Sequence, residues 1–285
     1  MAVRHGHSVD ARAAVERDRM SAHIGRKTVP DRMIGCWRRR HIRFETGAED
    51  VSTRVIWVQT ASGMADMRIA ANRPDLRGRE GLARCSTDEL VALAEQDCSC
   101  GTTELDEGTA PYPTAVWQNG SFGFALQPVS RYPEPGWFEW RQQETCMLER
   151  APSGAYEEDW RLEARSRGNA LHITHRGATA MENLFIAGEH CIYARDRTVP
   201  VEEKRPLRDL VMDRLHDREY VHALLDFEMS YAQRRVDQIY RITLSSLPWK
   251  EGREMDLSWT SNLKHTAVLK DADGRIWNWV SAWRD

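Results

Sequence analysis

The sequence has no run of about eighteen consecutive apolar residues, so it offers no membrane-spanning helix, and no apolar segment near its start of the kind that directs secretion. It also lacks an excess of charge. Forty basic residues stand against 43 acidic ones, a formal net charge of −3, which excludes the basic footprint of a nucleic-acid binder. There is no glycine-rich phosphate loop, no G-x-S-x-G elbow and no H-E-x-x-H pair. Cysteine is sparse: Cys36, Cys85, Cys98, Cys100, Cys146 and Cys191 read as reduced, packed thiols rather than as a disulfide framework. The close pair in "DCSCG" (97–101) has C-x-C spacing with no second ligand pair, and two ligands do not close a tetrahedral zinc site. The expectation is a cytoplasmic protein without metal, cofactor, nucleic-acid or membrane partner; homo-oligomerisation is left open.

What is present is tryptophan, eleven residues of it, which suits a deep core or an aromatic-lined ligand cavity. Residues 1–32 are rich in Arg, Asp, Ala and His without an apolar stripe, and read as a disordered leader outside the core, part of it upstream extension; the histidines of "RHGH" (4–7) receive no role. From Met33 onward, period-two patterning recurs between turn clusters. "CWRRRHIRFE" (36–45) places Trp37, Arg39, His41 and Arg43 on one face, and "TRVIWVQT" (53–60) is apolar on both. "SFGFALQ" (121–127), "YEEDWRL" (156–162), "ALHITH" (170–175), "LDFEMSY" (225–231) and "YRITLSS" (240–246) alternate likewise, the second pairing Tyr156 with Trp160.

Two segments read as helical. "STDELVALAEQ" (86–96) opens on a Ser86/Glu89 capping box, and "PLRDLVMDRLHD" (206–217) opens on proline. "HTAVLKDADGRIWNWVSAW" (265–283) reads as a hairpin turning at Asp273-Gly274, with Trp277, Trp279 and Trp283 on one face. The predicted fold is mainly β: an antiparallel closed barrel from Met33 onward with two short helices, and a Trp-rich hairpin over 256–285 packed on it.

The order of "GCWRRRHIRFE", "VIWVQTASGMADMRI", "LAEQDCSCGTTELD", "YEEDWRL" and "NLFIAGEHCIYARDRT" resembles the lipocalin-like barrel proteins grouped with the fungal Hri-type protein, over roughly residues 33–255. The resemblance implies a calycin-type barrel. It implies no settled activity and carries over no catalytic residue.

Candidate chemistry follows from strand parity. Read as one strand, "NLFIAGEHCIYARDRT" (183–198) separates Glu189 from His190: Phe185, Ala187, Glu189, Cys191, Tyr193, Arg195 and Arg197 share one face, and Leu184, Ile186, Gly188, His190, Ile192 and Ala194 the other, unless Gly188 marks a bulge. His190, alone among aliphatics, is either a core histidine bonded to a carbonyl or a general acid/base. Tyr193 and Arg195 would bind an anionic or phenolic ligand if their face lined the cavity. Asp66 and Arg68 share a face, with Trp57 and Gln59 on the same parity; they form either a structural clasp or a site in which Arg68 anchors a carboxylate and Gln59 orients it. Nothing supports a Ser-His-Asp nucleophile.

The leading expectation is therefore a barrel that binds a small hydrophobic or aromatic molecule through Trp57, Gln59, Asp66, Trp160 and Tyr193. The alternatives are a cofactor-independent lyase, isomerase or hydratase working through His190 with Arg68 or Arg195 at an oxyanion, and a structural module docking through its C-terminal hairpin.

Overall fold

The alternating segments sort into two antiparallel sheets. In the computed structural model, which describes residues 27–237, 239–262 and 268–283, the first sheet comprises β1 (Gly35–Phe44), β2 (Glu49–Asp50), β3 (Arg54–Gln59), β4 (Gly63–Ile69), β5 (Asp97–Asp106), β6 (Thr114–Gln118), β7 (Phe124–Ala125), β8 (Gly136–Arg141), β9 (Cys146–Arg150) and β10 (Tyr156–Leu162). Eight of these close a ring in the order β1-β3-β4-β5-β6-β8-β9-β10, β10 returning to β1 from Trp37↔Leu162 to Phe44↔Tyr156. Closure removes sheet edges, and a ring of this size encloses room for side chains or one small ligand.

The second sheet is an open half-barrel made of β11 (Ala170–Arg176), β12 (Met181–Ala187), β13 (His190–Arg195), β14 (Glu228–Arg234), β15 (Tyr240–Ser245), β16 (Glu254–Met255), β17 (Val268–Lys270) and β18 (Ile276–Trp283). Its order is β16-β15-β14-β13-β12-β11-β18-β17. The closed barrel thus spans residues 35–162, and the later strands of the expected 33–255 barrel pair among themselves instead. The C-terminal hairpin is a member of that second sheet, with β18 bonded to β11.

Among the described residues there are three short α-helices: α1 (Thr87–Leu93), α2 (Leu207–Asp213) and α3 (Arg218–Leu225). Both halves of the Ser86/Glu89 capping box are formed on α1. The third helix, absent from the sequence reading, is capped by Asp217, whose carboxylate accepts from Tyr220 N. Among the described residues, no helix is long and apolar enough to cross a membrane.

A large apolar core joins the outer wall of the barrel to the second sheet. Cys36, Ile56, Val58, Ala65, Met67, Cys98 and Cys100 meet Phe185, Ala187, Ile192, Ala194, Met229, Tyr231 and Leu244, with the three helices covering one end. Strands β3 and β4 are consequently buried on both faces, which is why "TRVIWVQT" is apolar throughout. Gly63 permits the close approach: a Cβ there would lie 2.3 Å from His172 Nδ1 and 2.9 Å from Phe185 Cε1. All six cysteines are buried and unpaired.

Inside the barrel, Trp37, Val55, Trp57, Met64, Ala115, Phe138, Met147 and Trp160 form a second core, closed at one end by Val29, Met33 and Ile34. The expected leader therefore contributes Val29. It is pinned there because Thr28 N donates to the Ala61 carbonyl (2.9 Å) and Leu105 N donates to that of Thr28 (3.0 Å). The leader through residue 26, its "RHGH" histidines, and the side chains of Trp279 and Trp283 lie outside the described residues.

Two parity readings are corrected by the register. In β1 a bulge between Arg39 and His41 flips the faces, so Trp37, Arg39 and Ile42 are buried and His41 and Arg43 are not. The stretch 183–198 is no single strand: β12 and β13 form a hairpin turning at Gly188-Glu189, where Gly188 has φ +57°. Phe185 pairs with Ile192 and Ala187 with His190 on one face, while Leu184 pairs with Tyr193 and Ile186 with Cys191 on the other. A two-residue turn shifts the alternation by one, so His190 joins the side of Phe185 and Ala187.

Candidate functional site

Alternation along β3, β4, β5, β9 and β10 sends Trp57, Asp66, Arg68, Asp97, Ser99, Glu149, Tyr156 and Trp160 into the barrel, where they line a cavity of about 520 Å³. That volume is within the usual range for small-molecule sites, roughly 300–1,000 Å³. Its mouth is framed by residues 116–119 and by the proline-bearing segment 127–135, which contributes Pro128, Tyr132, Pro133 and Pro135.

The walls are aromatic. Trp57 lies edge-on to Trp160 (centroids 5.5 Å apart) and to Trp117 (6.2 Å), and Tyr132 meets Tyr156 at 5.0 Å. Trp57 is only 2 % exposed, and its indole Nε1–H has no hydrogen-bond partner among the described residues. A buried donor normally finds one.

Beside the aromatics runs a chain of buried charge. Arg68 donates through Nε to Asp66 Oδ1 (2.8 Å) and through Nη1 and Nη2 to Glu158 (2.7 and 3.3 Å). Glu158 also accepts from Arg39 Nη1 (2.7 Å), and Arg39 Nη2 reaches Asp50 (2.8 Å). Burial opposes the Arg68 charge, yet Asp66 and Glu158 outweigh it and hold the guanidinium well above its ordinary pKa. Tyr132 covers Arg68 at 4.6 Å from the ring centre. The Asp66–Arg68 clasp anticipated from parity is therefore formed, and Glu158 is its third member.

Glu149 behaves differently. It stands directly opposite Glu158 across the β9–β10 ladder and accepts from Trp160 Nε1 (3.0 Å). Burial, reinforced by the charge of Glu158, raises the Glu149 pKa well above the carboxylate range, with Arg68 opposing only in part. Arg39 and Arg68 both donate to Glu158 and neither to Glu149, so Glu149 lacks an ion-pair partner among the described residues. Burial likewise raises Asp97, across the ladder from Arg68, and lifts Asp66 to about 6. Among the described residues, no group of three or more His, Cys, Asp or Glu side chains is arranged to hold a metal ion.

By sequence, the chain matches no protein-family model and no curated protein. By fold, it is similar to a crystallised, uncharacterised protein of Saccharomyces cerevisiae, YLR301w. The two share 11% identity at a TM-score of 0.56, over 87% of this chain and 98% of that one. At that identity the likeness concerns the fold alone.

Of the candidate residues, the structure gathers Trp57, Asp66, Arg68 and Trp160 at the cavity and places the other four elsewhere. Gln59 is buried in the β3–β4 turn, donating to the Thr60 and Gly63 carbonyls (2.9 and 3.2 Å) and accepting from Thr103 (2.8 Å). Tyr193 donates to Glu182 (2.8 Å) on the face of the second sheet turned away from the barrel. Arg195 pairs with Asp226 (2.7 Å).

His190 sits in the seam between the sheets. Its Nε2 lies 2.8 Å from the Ala164 carbonyl, which requires the proton there, leaving Nδ1 to accept from the Tyr231 hydroxyl at 2.7 Å. Tyr231 oxygen in turn accepts from Gln233 (2.9 Å) and from the Cys36 thiol (3.9 Å). Burial lowers the His190 pKa, and every donor and acceptor of this neutral ring is satisfied. The carbonyl-bonded core histidine is the arrangement observed.

Glu149, Glu158, Tyr132 and Trp117 escaped the sequence reading. Glu158 alternates with Tyr156 and Trp160, so its inward direction is written in "YEEDWRL". Tyr132 carries no such signal, since the loop that bears it has no periodicity, and Trp117 stands on β6, a short strand without a period-two apolar pattern of its own.

Proposed function

We propose that this is a cytoplasmic, lipocalin-like barrel protein of the Hri-type group that binds a small hydrophobic or aromatic molecule inside its closed barrel. The observation that carries the reading is the aromatic cavity of about 520 Å³ with the unpartnered Trp57 indole N–H at its wall. An apolar pocket with a few fixed polar groups is the usual form of a small-molecule site. The motif order supports the group, the likeness to the yeast protein supports the fold alone, and the six unpaired thiols suit the compartment.

The test is a titration with N-phenyl-1-naphthylamine, a neutral probe whose emission rises in apolar surroundings. The parent protein should enhance it saturably. Ser99→Trp, which fills the cavity from β5, should abolish the enhancement while leaving the far-ultraviolet circular dichroism unchanged. Enhancement that survives the filled cavity, or none with the parent, overturns the reading.

A second reading, a cofactor-independent lyase, isomerase or hydratase, is favoured by the unequal carboxyls of the same cavity. Burial and the facing Glu158 favour the neutral form of Glu149, whereas Arg68 donates to Asp66 and opposes its burial, which suits an acid and a base. In that reading Glu149 and Asp66 take the part expected of His190, which the seam keeps from the cavity.

A further inference from the structure

The charges around the cavity are unequal: its lining offers one guanidinium, Arg68, against the four carboxyls of Asp66, Asp97, Glu134 and Glu149. Arg68 already commits three of its five N–H donors, and its charge, to Asp66 and Glu158. The other guanidinium of the network, Arg39, is buried between Glu158 and Asp50. An anionic ligand would find no unpaired cation in the lining and would meet Asp97 and Glu149, which have no ion-pair partner among the described residues, in a poorly solvated space. A cation would find the reverse. It would supply the counter-charge that Glu149 lacks, and would lie against Trp57, Trp117 and Trp160, whose ring faces attract positive charge. Trp57, nearly fully buried with an unpartnered N–H, is an independent sign that the cavity takes an occupant.

We propose that the barrel cavity is built for an organic cation, an amine carried on a flat apolar group, with its ammonium toward Asp66, Asp97 and Glu149 and its apolar body against the tryptophans. The proposal rests on the cavity being a ligand site and adds the sign of the ligand's charge. The ammonium meets Asp66 and Arg68 from β4, Asp97 from β5, Glu149 from β9 and, behind Arg68, Glu158 from β10. Its arrival favours the ionised form of Glu149, so binding releases a proton to solvent.

The experiment compares three ligands of one shape by calorimetry on the full chain at pH 7.5: 2-phenylethylammonium, 2-phenylethanol and 3-phenylpropanoate. The amine should bind at least tenfold more tightly than the alcohol, and the acid most weakly. Repeating the amine titration in buffers of different ionisation enthalpy should reveal proton release. Glu149→Gln should cut the amine's advantage over the alcohol severalfold and abolish that release; Asp97→Asn, which should also lower the amine's advantage, serves if the first variant does not fold. If the alcohol or the acid matches the amine, or the amine fails where N-phenyl-1-naphthylamine binds, the cation is overturned and the ligand site stands. If the neutral probe fails as well, both fall.

Discussion

Glu158→Gln tests the charge network at its centre. Glu158 is fully buried and bridges Arg39 and Arg68, with three hydrogen bonds between 2.7 and 3.3 Å. The amide removes the negative charge but keeps one acceptor oxygen, so both guanidiniums stay in place with one counter-charge fewer between them. Deleting one partner of a buried ion pair costs about 3–5 kcal/mol, because the remaining charge is stranded away from water. Arg39 retains Asp50 and Arg68 retains Asp66, which sets the expected loss near the lower end, about 3 kcal/mol. At roughly 2–4 °C per kcal/mol, the melting temperature should fall by about 6–12 °C. Urea denaturation followed by tryptophan fluorescence measures the loss directly. The adjacent Glu157→Gln is the control: it removes the half-exposed pair with Arg150 and should cost under about 1 kcal/mol. Adding Arg68→Met to Glu158→Gln should cost less than the sum of the two single changes. A loss below about 1 kcal/mol for Glu158→Gln, or strict additivity, would refute the network as described.

Two further outcomes separate structural histidines from functional ones. His190→Phe should lower stability by about 1–3 kcal/mol, since it strands the Ala164 carbonyl and the Tyr231 hydroxyl, and should leave N-phenyl-1-naphthylamine affinity within twofold; a tenfold loss of affinity without unfolding would restore His190 to the site. His172 lies between Phe122 and Phe185, and burial lowers its pKa to about 3, with the Asn183 hydrogen bond opposing. Between pH 6.5 and 3 the unfolded chain therefore holds a proton that the folded one refuses. The stability due to neutral His172 is full above pH 6.5 and lost as pH falls, by at most about 1.4 kcal/mol per unit. Asp66, raised to about 6, works with the opposite sign, adding stability as pH falls from 6 toward 3.8. That contribution is common to parent and His172→Gln, so the difference between their stability–pH curves should show one proton, and identical slopes would contradict a neutral buried His172.

The strands themselves were largely legible in the sequence, because half-buried strands write period two into it, and the Ser86/Glu89 capping box marked α1. Their partners were not. Alternation says which side chains share a face but not which strand lies alongside, so β11 to β15 read as a continuation of the barrel when they form a second sheet. Where a single residue shifts the count, the faces invert: the bulge at Arg40 and the turn at Gly188-Glu189 each did so, and the second moved His190 out of the cavity and into the seam. The clasp between Asp66 and Arg68 followed from local spacing, whereas its bond to Glu158, ninety positions away, required the closure of β10 on β1.

The mouth of the cavity has a kinetic consequence. Pro128, Pro133 and Pro135 fix φ along the segment that frames it, so the rim has little conformational freedom to surrender when a molecule enters. A pre-organised rim places the entropic cost of binding on the ligand rather than on the protein. Differences in affinity among related ligands then fall on how slowly each one leaves.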